Sequence, residues 1–472
     1  MDILKVNGGR RLRGCISIGG AKNAVLPIMA ASLMIDGDVV LKNVPDLTDV
    51  EAMCRILREL HVKVKRENDI LIINAENAVY CDVSEHLMKT MRASNLIWGP
   101  LLDRFALARI PMPGGCRIGG RPMDIHIRGM RCFGVKVEEH GGVVFSEGAP
   151  RNGADIYLDF PSVGATENLV MAAVKAEGKT VIRNAAREPE VSDLCHFLAA
   201  CGGRIHGIGT DRLEIEGVRR LNGVEYRIIP DRIVGGTMLL AAAMTGGDVT
   251  VKDICADHLE AVTAKLKETG VEAERGADFL RVRCDGCYGA ADLSTLPYPG
   301  FPTDIQPQYM AMMTLAKGAS MIRESIFENR FTQCAELRKM GADIAIDGRC
   351  ALVRGKKRLE GAGVEAFDLR CGAALILAAL TAEGETTIRG VSYIDRGYSR
   401  IENAFSALGA DIVRVSAAEK KRAADKDDGS AVCRPVVFSG SFSRFYHGVL
   451  RLIFGKVLYL FPEKRYNKQR PV

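Results

Sequence analysis

The chain has 472 residues, more than one ordinary hydrophobic core accommodates, so two domains with an added tail are expected. Hydrophobic residues make up 47% and charged residues 26%, as in ordinary globular enzymes, and the net charge is +6. Between Ser441 and Val472 stand Arg444, Arg451, Lys456, Lys464, Arg465, Lys468 and Arg470 against Glu463, so seven minus one accounts for the whole excess. Residues 1–440 are formally neutral, which argues against a binder of phosphate backbones.

The amino terminus, MDILKVNGGRRLRG, has no apolar core of signal-peptide length, which points to the cytoplasm. Fourteen cysteines without a framework fit a reducing compartment. Cys284 and Cys287 form a single CxxC with no second pair, and the eight histidines show no ligand spacing, so neither metal nor cofactor is expected.

From Asn23 onward the chain repeats itself. Copies begin near Asn23, Arg92, Ala165, Gly235, Asp304 and Cys371, roughly 70 residues apart and longer than solenoid repeats. Each copy has an Ala/Leu/Met-rich run, a turn, an alternating strand such as TVIRN or TTIRG, and a second, amphipathic run. The first run is apolar nearly all round and predicts a buried helix; the second has the one-sided stripe of a surface helix. The expected fold is α/β, with three buried helices per domain inside a shell of sheets.

Lys22, Arg92 and Arg370 fall at helix starts, where a cation opposes the macrodipole at about 0.3–1 kcal/mol each. Three at equivalent repeat positions suggest an anion between cation and helix end. Ser162-Val163-Gly164 is a fourth candidate anion seat without a cation. In the second copy an insertion, PMPGGCRIGGRPMDIHI, brackets Cys116 with glycine pairs and places Arg117 and Arg121 nearby. Positive neighbours favour the thiolate, and the glycines mark a hinge or a close backbone approach. The plain alternative is a glycine-rich surface loop with an incidental thiol.

Several motifs then carry a family resemblance. They are GAKNAVLP around Lys22, TMRAS around Arg92, PGGCRIGGRPMDIH around Cys116, SVGATEN around Ser162 and NAAREPE around Arg187. The set continues with PDRI at Arg232, FPTDIQ at Asp304, FENRF at Arg330, DLR at Arg370 and IDRGYSRIE at Arg396. In order, and from Met1 to about Val415, the chain resembles the UDP-N-acetylglucosamine enolpyruvyl transferase (1-carboxyvinyltransferase) family. The resemblance implies an inside-out α/β barrel of two similar domains, each of three βαβαββ-type units. One domain would span residues 21–229 and carry the Cys116 loop. The other would join 1–20 to 230–416, leaving 417–472 as linker and tail.

The implied reaction transfers the enolpyruvyl group of phosphoenolpyruvate to the 3-hydroxyl of UDP-N-acetylglucosamine, releasing phosphate, as the first committed step toward peptidoglycan. By family position Lys22, Asn23, Cys116, Arg121, Arg330, Arg370 and Arg396 would hold phosphoenolpyruvate. Cys116 would protonate its C3 and be open to a covalent adduct. Asp304 would be the base on the sugar hydroxyl and Asp368 a second carboxylate near the proton transfers. Asn23, Arg92, Arg121, Pro122, Met123, Asp124, Ile125, Ser162, Val163, Gly164, Asp304 and Ile326 would line the UDP-sugar site. Links to cell shape, cell cycle and cell division follow from the same pathway.

Duller readings stand beside these. Asp231-Arg232 and Asp395-Arg396 read as surface ion pairs, Arg187-Glu188 as structural, and His126 as either a packed histidine or a functional one. Some members carry lysines where this chain has Asp46, Thr48 and Phe160, which puts nucleotide contacts from those positions in doubt; Phe160-Pro161 reads instead as an apolar wall. The tail reads as an interfacial helix on anionic lipid or as a disordered or partner-binding segment. Rival functions are the transferase acting on shikimate 3-phosphate, a silent UDP-sugar-binding regulator, and nucleic-acid binding through the tail. The Cys116 loop argues against the first, and intact Lys22, Cys116, Asp304 and Arg396 against the second.

Overall fold

A computed structural model describes residues 2–112, 119 and 123–416. Six buried helices head the six repeats: α1 (Lys22–Ala31), α2 (Trp98–Phe105), α3 (Val163–Ala173), α4 (Arg232–Met244), α5 (Gln306–Met313) and α6 (Leu369–Thr381). Most lack a polar face because neighbours enclose them, though α2 leaves Asp103, Arg104 and Phe105 half-buried; in α6 every residue from Arg370 to Leu380 is buried. Their amphipathic partners, such as Thr48–Glu59 and Pro189–Ala200, bury one stripe. In the second repeat the apolar run is divided, because a 3-10 segment, Arg92–Ile97, precedes α2. There the Ser94 hydroxyl donates to the carbonyls of Met88 (2.6 Å) and Met91 (2.8 Å), competing with regular helix bonding.

Six sheets surround these helices, five of four strands and one of three among the described residues. Each four-stranded sheet contains one parallel pair and two antiparallel pairs. Three of the strands are borrowed from distant parts of the chain. Ile3–Asn7 lies between Glu385–Arg389 and Asp411–Val415, and Arg13–Ser17 runs parallel to Asp248–Lys252. Asn222–Arg227 runs parallel to Asp36–Lys42. The repeated βαβαββ plan thus closes through the amino-terminal strands and through the crossing segment.

The buried side chains form two clusters. One runs from Ala21 to Ile228, and the other joins Leu4–Ile18 to Ile233–Ile412. Gly20 and Pro230 form an isolated antiparallel bridge where the chain passes between them. At Gly20 a Cβ would lie 1.8 Å from the Asn43 carbonyl oxygen, so no larger residue fits this crossing. Among the described residues no helix is long and apolar enough to cross a membrane, and no His/Cys/Asp/Glu group suits a metal. The expectations for the tail lie outside the described residues.

Candidate active site

Helix starts from both core clusters bring their charged side chains together. Lys22 opens α1, where its Nζ donates to Asp49 Oδ2 at 3.3 Å and its backbone N–H to Asp231 Oδ2 at 3.2 Å. Arg396 donates to the other Asp49 oxygen from Nε at 2.9 Å. Asp304, just ahead of α5, accepts from Arg330 Nη2 on one oxygen and from Arg370 Nη2 on the other, both at 2.8 Å. Asp368 caps α6 through the Arg370 and Cys371 N–H groups, each at 2.9 Å, and its second oxygen accepts from Thr332 Oγ1 at 3.0 Å.

Burial pushes the Lys22 ammonium below its usual range; Asp49 opposes the shift, while Arg370 and Arg396 reinforce it. For Asp304 burial works against ionisation, but Arg370 and Arg330 outweigh it and hold the carboxyl well below the carboxylate range. Each of these groups also feels the other's charge, so the Lys22 and Asp304 clusters form one electrostatic unit.

Two of the cations at helix starts, Lys22 and Arg370, are therefore answered by protein carboxylates from other elements. Arg232, opening α4, follows the same rule: it forms a bidentate pair with buried Glu190 at 2.9 and 3.1 Å. The sequence-adjacent surface pairs do not form. Asp231 turns inward to cap α4 through Ile233 and Val234, and Asp395 pairs with Arg414. Donor capacity remains near Asp304, where the buried Arg330 Nε, Arg370 Nε and Arg370 Nη1 have no hydrogen-bond partner. Arg370 lies over the Tyr398 ring and Arg330 over the Phe327 ring.

The second group of candidate residues lies around α3. Ser162 caps it, its Oγ accepting from Ala165 N at 3.4 Å, and Ser162, Val163 and Gly164 are half-buried. Met123 is buried, and the helix Asp124–Cys132 begins with exposed Asp124 and half-buried Ile125. Its next residue, His126, is electrostatically coupled to Arg92 and to Asp124. Asn23 is half-buried on α1, and Ile326 donates its N–H to Glu324 Oε1 at 2.9 Å. Phe160 is exposed. Cys116, Arg121 and Pro122 lie outside the described residues. Gly119 has φ +147°, and a Cβ on it would fall 2.2 Å from Glu328 Oε2, so Gly119 itself packs against Glu328.

Asp49 and the grouping of acidic residues near Arg232 went unnoticed in the sequence. Asp49 is the carboxylate shared by Lys22 and Arg396; its only sequence signal is its place in the first turn of an amphipathic helix. Glu188 and Glu190 act on Arg232, and burial together with these two carboxylates raises the pKa of neighbouring Glu167 well above the usual range.

Comparison with known proteins identifies the class. Residues 6–405 match the family model described as EPSP synthase (3-phosphoshikimate 1-carboxyvinyltransferase). The fold matches the enolpyruvyl transferase NikO from Streptomyces tendae with a TM-score of 0.79 at 23% identity, covering 88% of this chain and 99% of that one. EPSP synthase from Acinetobacter baumannii matches with a TM-score of 0.70 at 17% identity, covering 88% and 100%. At these identities the structures establish the fold of carboxyvinyl transfer and no more.

Sequence relatives narrow it. UDP-N-acetylglucosamine 1-carboxyvinyltransferase 2 of Caldanaerobacter subterraneus subsp. tengcongensis is 48% identical over 416 residues, 88% of this chain and 100% of the relative. UDP-N-acetylglucosamine 1-carboxyvinyltransferase 1 of Carboxydothermus hydrogenoformans is 47% identical over 420 residues, 89% and 100%. The chain belongs to the family of UDP-N-acetylglucosamine 1-carboxyvinyltransferases.

Proposed function

We infer that this chain transfers the enolpyruvyl group of phosphoenolpyruvate to the 3-hydroxyl of UDP-N-acetylglucosamine, releasing phosphate, at the entry to peptidoglycan precursor synthesis. Family membership supports the reaction. The observation that carries the reading to this molecule is the buried cation cluster of Lys22, Arg330, Arg370 and Arg396. Within it Arg330 and Arg370 keep buried N–H donors without a protein partner, which suits a substrate bearing both phosphate and carboxylate.

In the chemistry proposed, the sugar oxygen bonds to C2 of phosphoenolpyruvate as C3 gains a proton, giving a tetrahedral intermediate. Loss of phosphate and of a C3 proton then restores the double bond. Cys116 is assigned the C3 proton donor and the site of adduct formation. Asp304 takes the hydroxyl proton, and Asp368 stands by for the second transfer. Lys22, Asn23, Arg121, Arg330, Arg370 and Arg396 hold phosphoenolpyruvate. Arg92, Pro122, Met123, Asp124, Ile125, Ser162, Val163, Gly164 and Ile326 hold the nucleotide sugar. We assign the two core clusters to two domains, 21–229 and 1–20 with 230–416, with the cytoplasm as the place of work.

The test is phosphate release from phosphoenolpyruvate with UDP-N-acetylglucosamine, with shikimate 3-phosphate, or with neither. Release with the nucleotide sugar alone, lost in Cys116→Ala, supports the reading. Release with shikimate 3-phosphate, or with neither acceptor, overturns it.

A further inference from the structure

We propose that Cys284 and Cys287 form a redox-modification site, closing to a disulfide by exchange with an anionic low-molecular-weight disulfide. Only Asp285 and Gly286 separate them, and neither cysteine belongs to the transfer chemistry assigned above. Both are free thiols, Cys287 exposed and Cys284 half-buried, and both line one cavity of about 780 Å³. The cavity lies on the sheet in which Arg13–Ser17 runs beside Asp248–Lys252. Cys284 is anchored there, its N–H donating to the Gly247 carbonyl at 3.0 Å, and the chain then turns through Gly286 at φ +95°. This bend wraps backbone around the inner sulfur. The Gly286 N–H donates to Cys284 Sγ at 3.3 Å, and the Cys287 and Asp285 N–H groups act on the same sulfur. The sulfur of one cysteine therefore already faces the backbone of the other.

The two thiols differ as an attacking and a resolving cysteine must. Cys287 is exposed, and its sulfur is hydrogen-bonded to Lys317, which places a cation beside the attacking atom. Burial pushes the Cys284 thiol up, against the pull of the Gly286 and Cys287 N–H groups, so it keeps its proton until the second step. The cavity selects the reagent. Arg11, Arg13, Arg281 and Arg283 line it against three carboxylates. Asp248 holds Arg281 bidentately, with both bonds at 2.8 Å. Arg283 stands 3.9 Å from Asp248 and from Glu272, and Arg11 donates to the Asp285 carbonyl at 3.4 Å. The charge left over draws a reagent that bears carboxylates and disfavours a metal cation. Among the described residues no group of three or more His, Cys, Asp or Glu suits a metal. In the exchange the Cys287 sulfur bonds to one sulfur of the reagent, whose S–S bond breaks and whose other half leaves as a thiolate. The Cys284 sulfur then bonds to Cys287 Sγ and expels the second half. The protein gives up two thiol protons to the two leaving thiolates; its cysteines are oxidised and the reagent is reduced to two thiols.

The test incubates the full chain with glutathione disulfide at neutral pH, blocks the remaining thiols and maps the digest by mass spectrometry. The expected product is a peptide cross-linked through Cys284 and Cys287 that dithiothreitol reverses. Cys284→Ser should stop at a glutathione adduct on Cys287, and Cys287→Ser should leave Cys284 unmodified. Cys287 should react about tenfold faster with glutathione disulfide than with the dication cystamine, and Arg11→Gln combined with Arg13→Gln should narrow that ratio to about threefold. The ratio is read against that of Cys132, which is exposed and lies outside the cavity. Absence of the cross-link, or a reagent ratio at Cys287 no greater than at Cys132, overturns the proposal. So does a zinc ion retained by the wild-type protein and lost in Cys284→Ser, which would make the pair a metal site. If a serine variant does not fold, the wild-type cross-link and reagent ratio decide.

Discussion

Arg396 and Asp49 meet across 347 residues of chain, at 2.9 Å, on a carboxylate whose other oxygen takes Lys22 at 3.3 Å. The segment after Ile394 is thereby tied to helix α1 through a residue that belongs to neither. Asp49→Ala removes the partner of a buried ammonium, which is expected to cost about 3–5 kcal/mol because the Lys22 charge is left uncompensated. Chemical denaturation would show it. The same variant should raise KM for phosphoenolpyruvate, since Lys22 then loses its proton more readily. A variant with wild-type stability and KM would refute the coupling.

The lowered pKa of Lys22 has a pH signature. The unfolded lysine titrates near 10.5, and the folded one below it because of burial. Between those two values the unfolded state binds more protons, so this group makes stability rise with pH through that window. Activity runs the other way. A proton on Lys22 is needed to hold an anion, so kcat/KM for phosphoenolpyruvate should fall on the alkaline side, beginning below the ordinary lysine range. Lys22→Arg should move that limb beyond the measurable range, and a pH–rate profile decides it.

Asp304 presents the opposite case. Burial disfavours its charge, yet Arg370 and Arg330 keep it ionised, with a carboxyl well below the usual carboxylate range. Its pairing therefore adds stability that is present above the unfolded aspartate value near 3.8 and lost as pH falls through the lower folded value. A carboxylate so held is a weak base until an anion draws the arginines away. Asp304→Asn should lower kcat by about 10²–10⁴-fold. It should also tighten phosphoenolpyruvate, because both guanidinium groups lose a competing anion. Weaker phosphoenolpyruvate binding in this variant would contradict that account.

The fold was legible because the repeat was. Six apolar runs and six amphipathic runs correspond to helices, and TVIRN and TTIRG fall on the strands Lys179–Arg183 and Glu385–Arg389. The helix-start cations were legible too, as violations of the macrodipole rule. Their partners were not. Asp49, Glu190 and Asp304 reach Lys22, Arg232 and Arg370 from 27, 42 and 66 residues away, and no local period encodes such a pairing. The plain alternative of adjacent Asp-Arg surface pairs does not form for a related reason: Asp231 is committed to helix capping and Asp395 to Arg414, so each arginine pairs elsewhere.

Arg232 and Glu190 make a bidentate buried pair, and Tyr298 stacks on the guanidinium with its centre 5.6 Å from the ring centroid. The pair differs from the Asp304 pairs, whose arginines keep buried donors without a partner. Its geometry uses both oxygens of Glu190, and no nitrogen of Arg232 is left buried without a partner. Glu190→Ala strands the arginine and should cost about 3–5 kcal/mol. Replacing both partners with apolar residues, Glu190→Leu with Arg232→Met, removes both charges together and should recover most of that stability. In both variants kcat measured below the melting transition should stay within about threefold of wild type. A large loss of kcat in the stable double variant would move Arg232 from the scaffold into the reaction.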